Sequence, residues 1–126
     1  MKKLILGLFL LSVTFTVSAQ EKMMKNHGAK TISLEQTSGE FTQKSLTLKE
    51  GTYVFEIVNN NVGHDVGFVL TPKGKTDQAH HIKEAYVTSV VANNTTGHSN
   101  KVTLTKGEYV YFCPLNPTPE YILKVE

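Results

Sequence analysis

From Thr31 onward, apolar and polar residues alternate over short runs with a period of two, the spacing of strands that bury one face. Ile32, Leu34 and Gln36 point one way, Ser33 and Glu35 the other. Ser45–Leu48 carries a shorter run that ends at the turn Lys49-Glu50-Gly51. Thr52 to Asn59 is the clearest strand, with Tyr53, Phe55 and Ile57 on one face and Val54, Glu56 and Val58 on the other. Asn59-Asn60-Asn61 and Gly63 break it, because these residues favour turns and left-handed backbone. His64–Leu70 predicts the next strand, closed by Thr71-Pro72-Lys73-Gly74, and Lys101–Thr105, Glu108–Cys113 and Tyr121–Val125 predict three more. Asp77 to about Val91 is the exception: Ala79, Ile82, Ala85 and Tyr86 fit a period of 3.6 and predict a short helix capped by Thr76 or Asp77. Asn93–Asn100 reads as loop. About seven short strands with regular turns and one short helix predict an all-β fold, a β-sandwich.

The chain before Thr31 has a different character. Residues 1–19 read as a secretory leader: Lys2 and Lys3, an apolar stretch from Leu4 to Val17, and the small-residue site Val17-Ser18-Ala19 before Gln20. That stretch is short for a membrane span, and no cysteine follows it to carry a lipid. Residues 20–30 are polar and unpatterned, a flexible arm ahead of a single domain at 31–126. The expectation is a periplasmic or secreted protein, monomeric, with no membrane insertion after cleavage. The formal charge of +2 is matched by the two leader lysines, so the domain itself has no electrostatic case for nucleic acid.

Composition adds one decisive fact, a single cysteine. An internal disulfide is excluded, and Cys113 is a buried small hydrophobe, a reactive thiol or a metal ligand. Asn60-Asn61-Val62-Gly63-His64-Asp65 and Lys106-Gly107-Glu108-Tyr109-Val110-Tyr111-Phe112-Cys113-Pro114 resemble the first-histidine segment and the ligand-cysteine strand of the cupredoxins, the small blue-copper proteins. The resemblance implies a Greek-key β-sandwich with copper at one end, held by a thiolate, two imidazoles and a weak axial thioether, a set that serves both Cu(I) and Cu(II). It also implies electron transfer with a redox or copper-handling protein partner.

In the shortest family pattern, Cys-x-x-His-x-x-Met, Cys113 matches the thiolate, but Asn116 stands at the second histidine and Pro119 at the methionine. No histidine follows His98 and no methionine follows Met24. The candidate metal ligands are therefore His64, Cys113 and Glu120, a harder set suited to Cu(II) or Zn(II) with water as the fourth ligand. The competing reading makes Cys113 a buried strand-end thiol and His64 a hydrogen-bonded core or rim histidine, with no cofactor.

Other candidates are weaker. His80 and His81, adjacent on the expected helix, point about 100° apart and cannot easily share a metal. His98 lies in a polar loop. Met23, Met24 and His27 in the arm form a small soft-donor group able to take up Cu(I). No orienting acid or glycine-rich oxyanion element accompanies Cys113, so an enzyme is not expected. The reading is an exported cupredoxin-like domain with a partial or lost type 1 site. Its alternatives are a metal-free structural or protein-interaction module and a periplasmic copper trafficking protein.

Overall fold

The computed structural model describes residues 29–126; the leader and most of the arm lie outside them. Eight strands form: β1 (Lys30–Thr37), β2 (Glu40–Phe41), β3 (Ser45–Leu48), β4 (Gly51–Asn59), β5 (Val69–Pro72), β6 (Thr96–Leu104), β7 (Gly107–Phe112) and β8 (Tyr121–Val125). They make two four-stranded sheets, ordered β2-β1-β4-β6 and β3-β8-β7-β5. The chain is all-β, as the alternation predicts. In β4, Tyr53, Phe55 and Ile57 are buried and the residues between them are half-exposed.

The core between the sheets is aromatic. Phe41 from the short β2 stands edge-on to Tyr111 at 5.1 Å, to Tyr121 at 5.7 Å and to Phe68 at 6.1 Å. Phe55 packs on Phe68 at 5.1 Å. Edge-to-face rings at these distances add to the stabilisation from area burial alone. The two tyrosines keep their hydroxyls satisfied at the margin: Tyr111 Oη donates to the Gln43 carbonyl at 2.6 Å, and Tyr121 Oη accepts from the Phe41 amide at 3.3 Å.

Three local expectations are corrected. The helix over Asp77–Val91 is not continuous; Gln78–His80 and Lys83–Ala85 are single 3-10 turns. The Ile82 amide between them donates to the Leu70 carbonyl at 2.8 Å, and the Thr88 amide to the His98 carbonyl at 2.9 Å, so the sheets capture backbone groups a helix would need. The strand expected at His64–Leu70 starts only at Val69, because Val66 exchanges both backbone bonds with Val91, at 3.0 and 2.9 Å, outside either sheet. Part of the expected loop, from Thr96, belongs to β6. There Ser99 sits at a register irregularity opposite β4, where its hydroxyl accepts the Phe55 amide at 2.9 Å.

Gly97 of β6 marks where the segment around Val91 presses on the sheet. A Cβ built there would lie 2.6 Å from Val91 Cγ2, a branched side chain with little room to move. Gly97→Ala is expected to cost about 1–3 kcal/mol in chemical denaturation, with partial rescue by Val91→Ala. Burial, reinforced by the neighbouring Tyr121, pushes the Tyr111 phenol up to about 12. The folded state keeps this proton where an unfolded tyrosine, near 10, has lost it. Stability from Tyr111 is thus fully present below about pH 10 and falls as pH rises towards 12. Denaturation midpoints measured from pH 8 to 11 should fall at the alkaline end in the parent and flatten there in Tyr111→Phe.

Candidate functional site

Cys113 is the first residue beyond β7, at the end where β1 and β4 finish and β5, β6 and β8 begin. It is 1% exposed. Its sulfur accepts two backbone N–H groups, from Gly67 at 3.3 Å and from Asn116 at 3.2 Å. Its own amide donates to Thr118 Oγ1 at 3.0 Å, which closes the loop Pro114–Pro119 back onto the strand end.

Asn116, 2% exposed, is turned inward from that loop. Its Nδ2 donates to Gln36 Oε1 at 3.0 Å and to the Thr37 carbonyl at 2.9 Å, and its Oδ1 accepts the Gly39 amide at 2.7 Å. Gly39 turns the β1–β2 hairpin with φ +77, a left-handed conformation suited to glycine, and so aims its N–H at Asn116. Gln36, fully buried at the end of β1, passes its Nε2 on to the Gly67 carbonyl at 2.8 Å. Sequence reasoning placed Gln36 on the inward face of β1 without giving it a role. The available signal was a long amide at a position where the alternation demands an apolar residue.

The other sequence-derived candidates lie as follows. His64 is exposed, with Nδ1 2.9 Å from the Asp65 carbonyl, while its own carbonyl accepts Asn59 Nδ2 at 2.8 Å. Glu120 and Pro119 are exposed. Val66 is fully buried in the core cluster that also contains Cys113. Its peptide link to Gly67 lies against the sulfur. Among the described residues, no three or more His, Cys, Asp or Glu side chains are grouped to hold a metal ion. The three other described histidines face separate neighbours. His80 Nδ1 meets the Asp77 carboxylate at 2.8 Å, His81 Nδ1 the Tyr86 hydroxyl at 2.6 Å, and His98 Nε2 the Glu56 carboxylate at 3.3 Å. Met23, Met24 and His27 fall outside the described residues.

Beside the Cys113 loop lies a groove of about 360 Å³, lined by Phe68, His81, Tyr86, Val90, Pro114 and Leu115 among others. Val90 (57% exposed) and Leu115 (48%) are the exposed large hydrophobics among the described residues, and both border it.

Residues 28–122 match the family model of copper-binding proteins of the plastocyanin/azurin family, and the chain belongs to that family. Three solved structures share the fold. Auracyanin B is 21% identical, with a TM-score of 0.61 over 79% of this chain and 90% of that one. Auracyanin A, a "blue" copper protein from Chloroflexus aurantiacus, is 18% identical, with a TM-score of 0.64 over 79% and 100%. Dithionite-reduced auracyanin from Roseiflexus castenholzii is 14% identical, with a TM-score of 0.60 over 79% and 98%. No curated protein matches the sequence.

The Cys113 loop depends on Thr118 for its closure. Thr118→Val, close in shape, leaves the Cys113 amide without an acceptor and is expected to lower stability by about 1–2 kcal/mol, read from urea denaturation.

Proposed function

We propose that this chain is an exported cupredoxin domain that lacks a type 1 electron-transfer centre and works as a metal-free module for docking a partner protein. The engagement of Asn116 carries the reading. In the family pattern an imidazole belongs at that position; here an amide, a poor copper donor, has both its polar atoms bonded to β1 and the β1–β2 hairpin. Pro119, at the thioether position, has no side-chain donor. His64 and Glu120 both face solvent, and the sulfur's hydrogen-bond partners are the backbone N–H groups of Gly67 and Asn116. The residues around Cys113 therefore do not fit copper: a thiolate without its two imidazoles does not make the trigonal plane that stabilises both oxidation states.

Family membership argues for copper and the donor set of this chain argues against it. The donor set has more weight, because a metal is held by atoms rather than by ancestry. The partner-facing surface is the groove bordered by Val90 and Leu115, since exposed large apolar side chains grouped at one place mark contact sites. The leader at residues 1–19 supports export to the periplasm or the medium.

Copper titration of the mature protein tests the reading. With Cu(II) in excess, no intense thiolate-to-copper absorption is expected, and metal analysis after desalting should find well under one copper per chain. A stoichiometric blue form would restore type 1 electron transfer. Uptake of Cu(I) alone, lost in Cys113→Ala, would identify a copper trafficking protein that passes copper through His64, Cys113 and the methionine arm.

A further inference from the structure

Four hydrogen bonds at the Cys113 end form a closed circuit. Asn116 Nδ2 donates to Gln36 Oε1, Gln36 Nε2 donates to the Gly67 carbonyl, and the Gly67 amide donates to Cys113 Sγ. The Asn116 amide, donating to the same sulfur, closes the ring. We infer that this ring ties together, without a metal, three segments remote in sequence: the end of β1, the stretch before β5 and the loop after β7. The inference rests on the reading that no type 1 copper sits at Cys113.

The physical case begins with burial. Gln36 and Asn116 lie 80 residues apart and out of contact with water. A buried amide left without partners is costly, so each holds the other in place. Each amide offers a donor at one end and an acceptor at the other, and both ends of both side chains are engaged. Every bond in the circuit fixes the geometry of the next, because Gly67 contributes its carbonyl to Gln36 and its amide to the sulfur. A metal would join at most two of these segments, the stretch before β5 and the loop after β7, and would leave β1 out; the ring includes β1 through Gln36, with the sulfur as the acceptor of two N–H groups.

The ring has a consequence for the partner-facing groove. Leu115 lies between two residues fixed by the ring, Cys113 and Asn116, and its side chain projects to solvent. Gln36 and Asn116 are thus positioning residues for Leu115, and they present it without help from a metal.

The test reads the accessibility of the Cys113 thiol to a small thiol reagent under native conditions, with chelator and again with added copper. Gln36→Met and Asn116→Leu remove the two amides with little change of volume. Each is expected to raise the modification rate by about tenfold or more, since each opens at least one buried hydrogen bond. The double variant should add little beyond the worse single one, because an opened ring has no second bond to lose cooperatively. Leu104→Ala, at the opposite end of the sandwich, serves as the comparison and should lower the denaturation midpoint without that local increase. Single variants that leave the thiol as protected as in the parent, or whose effects multiply, would overturn the ring.

Should a variant fail to fold, hydrogen exchange in the parent decides. The Gly67 and Asn116 amides are expected to be protected to the same degree with chelator as without, and rapid exchange at either would overturn the proposal. A parent whose thiol becomes accessible only when chelator is added contradicts the metal-free reading instead, whatever the variants do.

Discussion

Two amides without access to water govern the loop end of this sandwich. Gln36 and Asn116 must find every partner within the protein, and the hairpin turn at Gly39, the approach of Gly67 and the inward turn of the Pro114–Pro119 loop are the means by which they do so. Asn59 repeats the device at the end of β4. Buried at the strand's end, its amide donates to the His64 and Val91 carbonyls and accepts the Val62 amide, which pins the whole 60–66 segment. Irregular backbone can be buried here because side-chain amides supply the bonds that a sheet would otherwise provide.

Strand alternation made most of the fold legible, because Ile32, Leu34 and Gln36, or Tyr53, Phe55 and Ile57, must share a face whatever lies opposite. The 77–91 stretch was misleading for a physical reason. Ala79, Ile82 and Ala85 recur every three residues, which suits 3-10 turns as well as an α-helix, and the choice was made by the Leu70 and His98 carbonyls of distant strands. The site was legible in the same partial way. Asn116 and Pro119 stood out as departures from a ligand pattern, and Cys113 as a lone thiol. The partners of Asn116 were not legible, because no local rule connects it to a glutamine 80 residues earlier in the chain.

Membership of a copper-binding family is compatible with an asparagine at 116 and a proline at 119 once the core and the loop end are separated. The aromatic centre of Phe41, Phe55, Phe68, Tyr111 and Tyr121 lies between the sheets and draws nothing from the side chains at 116 or 119. Substitution at the loop end is therefore free to proceed provided the buried polar groups it creates are paired. Solved relatives at 14–21% identity keep the same sandwich.

The order of the sheets leaves β2, β6, β3 and β5 at the margins. Three of these are two to four residues long, and β5 ends in Pro72, which has no N–H to offer. The long one, β6, is overlaid at its middle by Val87 and Thr88, which bond to Ser99 and His98. The 77–91 segment thereby acts as a guard rail. It occupies, at the middle of the longest marginal strand, backbone groups that a neighbouring strand would otherwise pair with.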